Sequence, residues 1–133
     1  MSTDYALELK RARDRLLGRV HRTPVVRSRL LDEACGCSVF LKCENLQRTG
    51  SFKARGASNA VRALVENGSA RTVATHSSGN HGAALAWAAT EAGMDAHVVV
   101  PKSANANKKS AMRAYGAEIH ECEPTMEARA DTL

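Results

Sequence analysis

Short β-branched stretches, each followed by a polar loop and then by an amphipathic or alanine-rich stretch, recur along this chain and limit its possible folds more than any other feature. Residues 71–75 (R-T-V-A-T) predict a strand, residues 77–82 a polar loop, and residues 83–92 a helix that Gly93 stops. Residues 96–100 (A-H-V-V-V) predict a buried strand ended by Pro101, residues 105–115 a helix ended by Gly116, and residues 118–122 a further strand. Another helix begins within residues 127–133. Upstream, residues 38–43 (S-V-F-L-K-C) predict a strand and Thr49-Gly50-Ser51 a turn and helix cap. Residues 52–66 then form a helix with Ala57, Ala60, Val61, Leu64 and Val65 on its apolar face, closed by Asn67-Gly68. Residues 5–17 predict an amphipathic helix, and Thr23-Pro24 an extended turn. Strands alternating with helices imply an α/β fold, a parallel sheet with helices on both faces.

Several function classes fall away on residue content. No apolar run approaches the roughly 20 residues of a membrane span and no hydrophobic signal core stands at the start, so the expectation is a cytoplasmic protein without membrane contact. The four cysteines form no C-x-x-C pair, and the histidines include no H-E-x-x-H; no metal site is expected from them. The net charge of +5 comes largely from K-R-A-R-D-R-L-L-G-R-V-H-R (residues 10–22). Asp14 interrupts that run, aromatics are only 4% of the chain, and no nucleic-acid motif accompanies it. A solvated helix face explains it better than a nucleic-acid site.

Two polar stretches occupy the loops after predicted strands, where sheets of this kind bind ligands. In L-Q-R-T-G-S-F-K-A-R-G-A (residues 46–57), Lys53 opens a helix directly after Phe52. The positive end of the helix dipole disfavours an ammonium, and an adjacent ring would keep water from it. Both favour a neutral, nucleophilic amine able to join a carbonyl carbon. In T-H-S-S-G-N-H-G (residues 75–82), hydroxyls, the Asn80 amide and backbone N–H groups crowd a helix start, with Gly79 and Gly82 allowing close approach. Neither phosphate-loop glycine pattern is present, so a carboxylate is the better anion. Taken singly, the first stretch also reads as a helix cap with an incidental lysine and the second as an ordinary Ser/Gly/Asn turn.

Together with V-V-V-P-K-S-A-N-A-N-K-K and A-Y-G-A-E-I-H-E-C-E-P, these stretches closely resemble the pyridoxal-phosphate enzymes of the tryptophan-synthase β type (fold type II), and among them the serine racemases and serine/threonine dehydratases. The resemblance runs from about residue 16 to residue 129. It implies the N-terminal portion of a two-domain enzyme, with residues 1–70 a piece of the large cofactor domain and residues 71–133 an incomplete small domain. By resemblance, Lys53 would hold pyridoxal 5'-phosphate as a Schiff base and act as a base at the substrate α-carbon. Phe52 and Asn80 would contact the cofactor, and Ser77, Ser78, Asn80 and His81 would line the site for the substrate carboxylate. Ser78 stands where serine racemases carry the second base and where many threonine dehydratases carry alanine.

The implied activity is serine racemisation with accompanying elimination from serine or threonine to a 2-oxo acid and ammonia. Threonine ammonia-lyase and hydroxyaspartate dehydratase are the alternatives within the family, and a non-catalytic interaction module is the alternative outside it. The resemblance also implies a homodimer at full length. The sequence departs from the family in one respect that matters: its nine glycines include no adjacent pair, so the family's glycine-rich phosphate loop has no counterpart. Weak cofactor affinity of these 133 residues alone is the expectation.

Overall fold

A computed structural model describes residues 4–68 and 70–133. The described residues form helices α1 (Tyr5–Leu16), α2 (Arg29–Cys35), α3 (Lys53–Glu66), α4 (Asn80–Thr90), α5 (Ala106–Ala114) and α6 (Met126–Thr132). The strands are β1 (Val25–Arg27), β2 (Phe40–Lys42), β3 (Thr72–His76), β4 (Asp95–Pro101) and β5 (Ala117–Cys122).

The expected parallel sheet is present in the order β3-β4-β5. Its strands pair in sequence order, so right-handed crossovers carry α4 and α5 onto one face. Val73, Ala96, Val98, Val100 and Ala117 point to that face and join Ala84, Ala88 and Met112 in the core. Val98 and Val100 are 0% exposed, and full burial of each contributes about 1.5–3 kcal/mol. Helix α4 is apolar nearly all round because it lies between α3 and the sheet, and its alanines let both approach closely. Helix α6 packs against β4 and β5, where Val99, Pro101 and Cys122 of the opposite face are buried.

The upstream strand does not join this sheet. β2 pairs antiparallel with β1, with Val25 opposite Lys42 and Arg27 opposite Phe40, in a separate two-stranded ribbon. Where the sequence predicts only an extended turn at Thr23-Pro24, the structure adds β1 and α2. Three-residue strands carry too little alternation to show a period, and α2 is a seven-residue helix ended by Gly36 in the left-handed conformation. Polar side chains hold these short pieces: Asp32 accepts from the Val39 N–H at 2.6 Å and from Arg27 at 2.6 Å, and the Arg27 guanidinium lies 5.2 Å from the Phe40 ring centroid.

A buried polar knot ties the ribbon to α3. Gln47, 4% exposed, brackets the His21 peptide: its Oε1 accepts from His21 N at 2.8 Å and its Nε2 donates to His21 O at 2.8 Å. Arg55 of α3 donates to both carboxylate oxygens of Glu44 at 2.9 and 2.7 Å, and Thr23 Oγ1 donates to Glu44 at 2.6 Å. This paired fork holds the Glu44 carboxyl down at about 2 despite partial burial. α3 in turn packs along α4, so the knot fixes where the first residue of α3 stands relative to the parallel sheet.

Candidate active site

The segment before α3 reaches the sheet through two 3₁₀ turns, Glu44–Leu46 and Arg48–Gly50, the second of which packs against α4. Thr49 adopts φ 58° and Gly50 φ 71°, and a β-branched residue in the left-handed region is strained. This reversal turns the chain so that Ser51 is buried rather than capping. The helix-cap position is Phe52, without a side-chain cap bond, which corrects the expected cap at Ser51. The physical result is two buried hydroxyls, Thr49 Oγ1 and Ser51 Oγ, without a protein partner among the described residues. Buried polar atoms of this kind mark a place where a bonding partner is missing.

Lys53 opens α3, exposed, with its ammonium 5.2 Å from the centroid of the Phe52 ring. Phe52 is itself 59% exposed, so it stands beside the amine without excluding water from it, contrary to the desolvation expected from sequence. The free α3 N-terminus remains as the local field at the amine.

The loop between β3 and α4 is shaped by Ser77. Its N–H donates to Val99 O at 3.1 Å, continuing the strand ladder, and its Oγ accepts from the N–H groups of Gly79 and Gly82 at 3.4 and 3.2 Å. Ser77 therefore builds the loop, and its N–H is not free for an anion. Ser78, Asn80 and His81 differ: among the described residues their N–H groups have no protein acceptor, and α4 has no side-chain cap. These open donors at a helix N-terminus form an anion cradle. Gly82 is required for another reason than ligand approach. A Cβ there would stand 2.7 Å from Ser77 O and 3.1 Å from Val98 Cγ1, so its lack of a side chain lets α4 close onto β4.

The two stretches meet in space. The Lys53 charge is close enough to His81 to disfavour its protonation, and together with partial burial, the larger effect, it lowers the imidazole below its ordinary value. Thr49, Gly79, Asn80 and Lys108 line one pocket of about 160 Å³ between the 3₁₀ turn, α4 and α5. Larger depressions of about 420 and 490 Å³ flank α1, but they hold Arg11, Arg15 and Leu9 and none of the lysine or loop residues. The knot residues Glu44, Gln47 and Arg55 escaped the sequence reading. Their signal, the acid and the amide that begin and end E-N-L-Q before the lysine helix, has meaning only once the His21 backbone is seen beside them.

Residues 16–133 match the family described as pyridoxal-phosphate dependent enzyme. Human serine racemase is 48% identical over 125 residues, covering 92% of this chain and 37% of that protein. The β-hydroxyaspartate dehydratase of Paracoccus denitrificans is 45% identical over 122 residues, covering 92% of this chain and 39% of that protein. A solved pyridoxal 5'-phosphate-dependent aspartate racemase superposes with TM-score 0.90 at 47% identity, covering 96% of this chain and 40% of the other. The chain thus spans well under half the length of the relatives it matches. With a family match over nearly its whole length and a lysine helix and serine loop joined at one corner of the sheet, the chain belongs to the pyridoxal-phosphate dependent enzymes.

Proposed function

We propose that the full-length protein is a pyridoxal-phosphate-dependent serine racemase with accompanying dehydratase activity toward serine or threonine. The observation that carries this reading is the meeting of Lys53 with the Ser78–His81 loop at two uncapped helix N-termini. The residues present fit the cofactor: an exposed primary amine, two buried hydroxyls without partners, and an exposed Asn80 at the edge of a pocket. When bound, pyridoxal phosphate supplies an aldehyde carbon for the lysine and a ring that draws electrons from the substrate α-carbon.

In this reading Lys53 would hold the cofactor and move a proton at the substrate α-carbon, with Phe52 and Asn80 as its further contacts. The free N–H groups of Ser78, Asn80 and His81 bind the substrate carboxylate, and Ser77 keeps their loop in shape. The depressed basicity of His81 keeps the cradle from adding a second cation beside Lys53. Ser78 moves a proton at the same carbon from the opposite side, and that second base makes inversion available beside elimination. Likeness to an aspartate racemase and a hydroxyaspartate dehydratase supports a wider substrate class in which the side chain carries a hydroxyl or a carboxylate.

The test is reaction of the chain with pyridoxal phosphate, borohydride reduction and peptide mass mapping. Label concentrated on Lys53 is the expected result; label spread over surface lysines would remove Lys53 from its role. We further propose that residues 1–70 and 71–133 belong to different domains of the full-length enzyme, supported by the separation of the two sheets on either side of that boundary. A cytoplasmic location is supported by four free cysteines. Among the described residues no helix is long and apolar enough to cross a membrane.

A second reading rests on the ribbon. Val25, Val26, Phe40 and Leu41 of β1 and β2 and Leu30 of α2 are all exposed, an apolar surface that suits contact with further protein, including a second copy in a homodimer. Tight self-association of the chain with no labelling of Lys53 would favour an interaction module over the enzyme.

A further inference from the structure

The register of the parallel sheet assembles a group of side chains that the cofactor chemistry does not use. His97 of β4 lies opposite Glu118 of β5, and His120 follows two residues later on the same face of β5. His97 Nδ1 stands 2.9 Å from His120 Nε2, and the carboxylate oxygens of Glu118 lie 3.6 Å from the former and 3.7 Å from the latter. The three ligating atoms fall within 4.8 Å of one another. They project from the sheet face opposite α4, away from Lys53 and Ser78, with the two imidazoles about one-third exposed at 33% and 35%.

We propose that His97, Glu118 and His120 form a binding site for a zinc-class divalent cation. Two imidazoles and one carboxylate are the donor set of three-ligand zinc sites, which leave a fourth position to water. Bonds of about 2.0–2.1 Å in tetrahedral array place neighbouring ligand atoms about 3.3–3.4 Å apart. The present separations bracket that figure, so the imidazole nitrogens open by a few tenths of an ångström and the carboxylate closes by a similar amount. At 2.9 Å one ring nitrogen donates to the other, and a cation would take the position of that hydrogen while the donor ring carries its proton on its outer nitrogen. Because two ligands stand on neighbouring strands and the third follows on one of them, the ion would clasp β4 to β5 within hydrogen-bonded backbone rather than within a loop.

The experiment is titration of the chain with Co²⁺ and then Zn²⁺, in a form carrying Cys35→Ser, Cys37→Ser and Cys43→Ser, since exposed or half-buried thiols compete for these ions. The expected result is one ion per chain, visible Co²⁺ bands without a thiolate charge-transfer band, and displacement of Co²⁺ by Zn²⁺. His97→Gln and His120→Gln should each weaken binding by at least the 10–100-fold typical of losing a supporting partner. Far-UV circular dichroism checks that the variants remain folded. If they do not, ring ¹⁵N shifts of the unsubstituted histidines decide the matter: movement at His97 and His120 supports the site. Binding that survives the double substitution, a thiolate band, shifts confined to His21, His76 or His81, or no uptake at millimolar ion would each overturn it.

Discussion

Gly82→Ala separates close packing from helix propensity. Gly82 lies in the first turn of α4, and the free-space position of a Cβ is 2.7 Å from Ser77 O, 3.0 Å from Met112 Cε and 3.1 Å from Val98 Cγ1. The Met112 terminus can move, but Ser77 O is backbone and Val98 is 0% exposed, so relief requires α4 to lift from β4. Overpacking of this size costs about 1–3 kcal/mol, and alanine returns up to about 1 kcal/mol in helix propensity. The net expectation is a loss of about 1–2 kcal/mol. Gly56→Ala is the control: Gly56 lies inside α3 with nothing within 4 Å of the added methyl, so the same substitution should stabilise by about 0.5–1 kcal/mol. Urea unfolding followed by circular dichroism measures both against the unsubstituted chain. A Gly82→Ala midpoint at or above that of the parent would refute the contact argument, as would an equal shift for the two variants.

Glu44→Gln should cost about 1–3 kcal/mol at neutral pH by leaving Arg55 without its paired acceptor, as urea unfolding would show. The sign of its pH dependence follows from the depressed carboxyl. Stability from Glu44 is present above 4.5 and lost as pH falls toward about 2, so the variant's acid-unfolding curve should be flatter in that window. Thr49→Gly relieves a left-handed threonine and should raise the unfolding midpoint by the equivalent of about 1 kcal/mol; a fall would show that the threonine side chain stabilises this turn. Ser78→Ala, at a half-buried loop position whose hydroxyl makes no hydrogen bond among the described residues, should leave stability within about 0.5 kcal/mol. On the proposed two-base reading, the same substitution in the full-length protein should abolish racemisation and spare much of the elimination, as measured by chiral separation of serine alongside pyruvate release.

The second half of the fold was legible because its strands are buried on a long side and its helices end in glycines. Gly68, Gly93 and Gly116 all adopt positive φ where the sequence placed helix ends. In the first half α1, β2 and α3 were legible too, but β1, α2 and the pairing of the ribbon were not, because these pieces are held by Arg27, Asp32, Glu44 and Gln47 making contacts across many residues, and such contacts leave no period in a sequence. At the site, Lys53 and the serine loop could be found from their residue types, whereas the division of labour inside the loop could not. Ser77 and Ser78 are neighbours of one kind, and only the Gly79 and Gly82 N–H groups show that the first is committed to the backbone. The cluster of His97, Glu118 and His120 hides for the same reason: E-I-H shows a shared strand face, but the partner across the ladder depends on register.

The sequential order β3-β4-β5 has a kinetic consequence. Each strand pairs with the next one made, so ring closures in this half span only the length of one crossover, and the entropy of closing them stays small. The ribbon and its polar knot instead await α3, whose packing surface is α4. On a ribosome this chain would therefore complete the β3-β4-β5 sheet with α3 closing its core over α4, and dock the ribbon afterwards. Pulsed amide labelling during refolding would record that order as early protection of β4 protons and late protection of β1 protons.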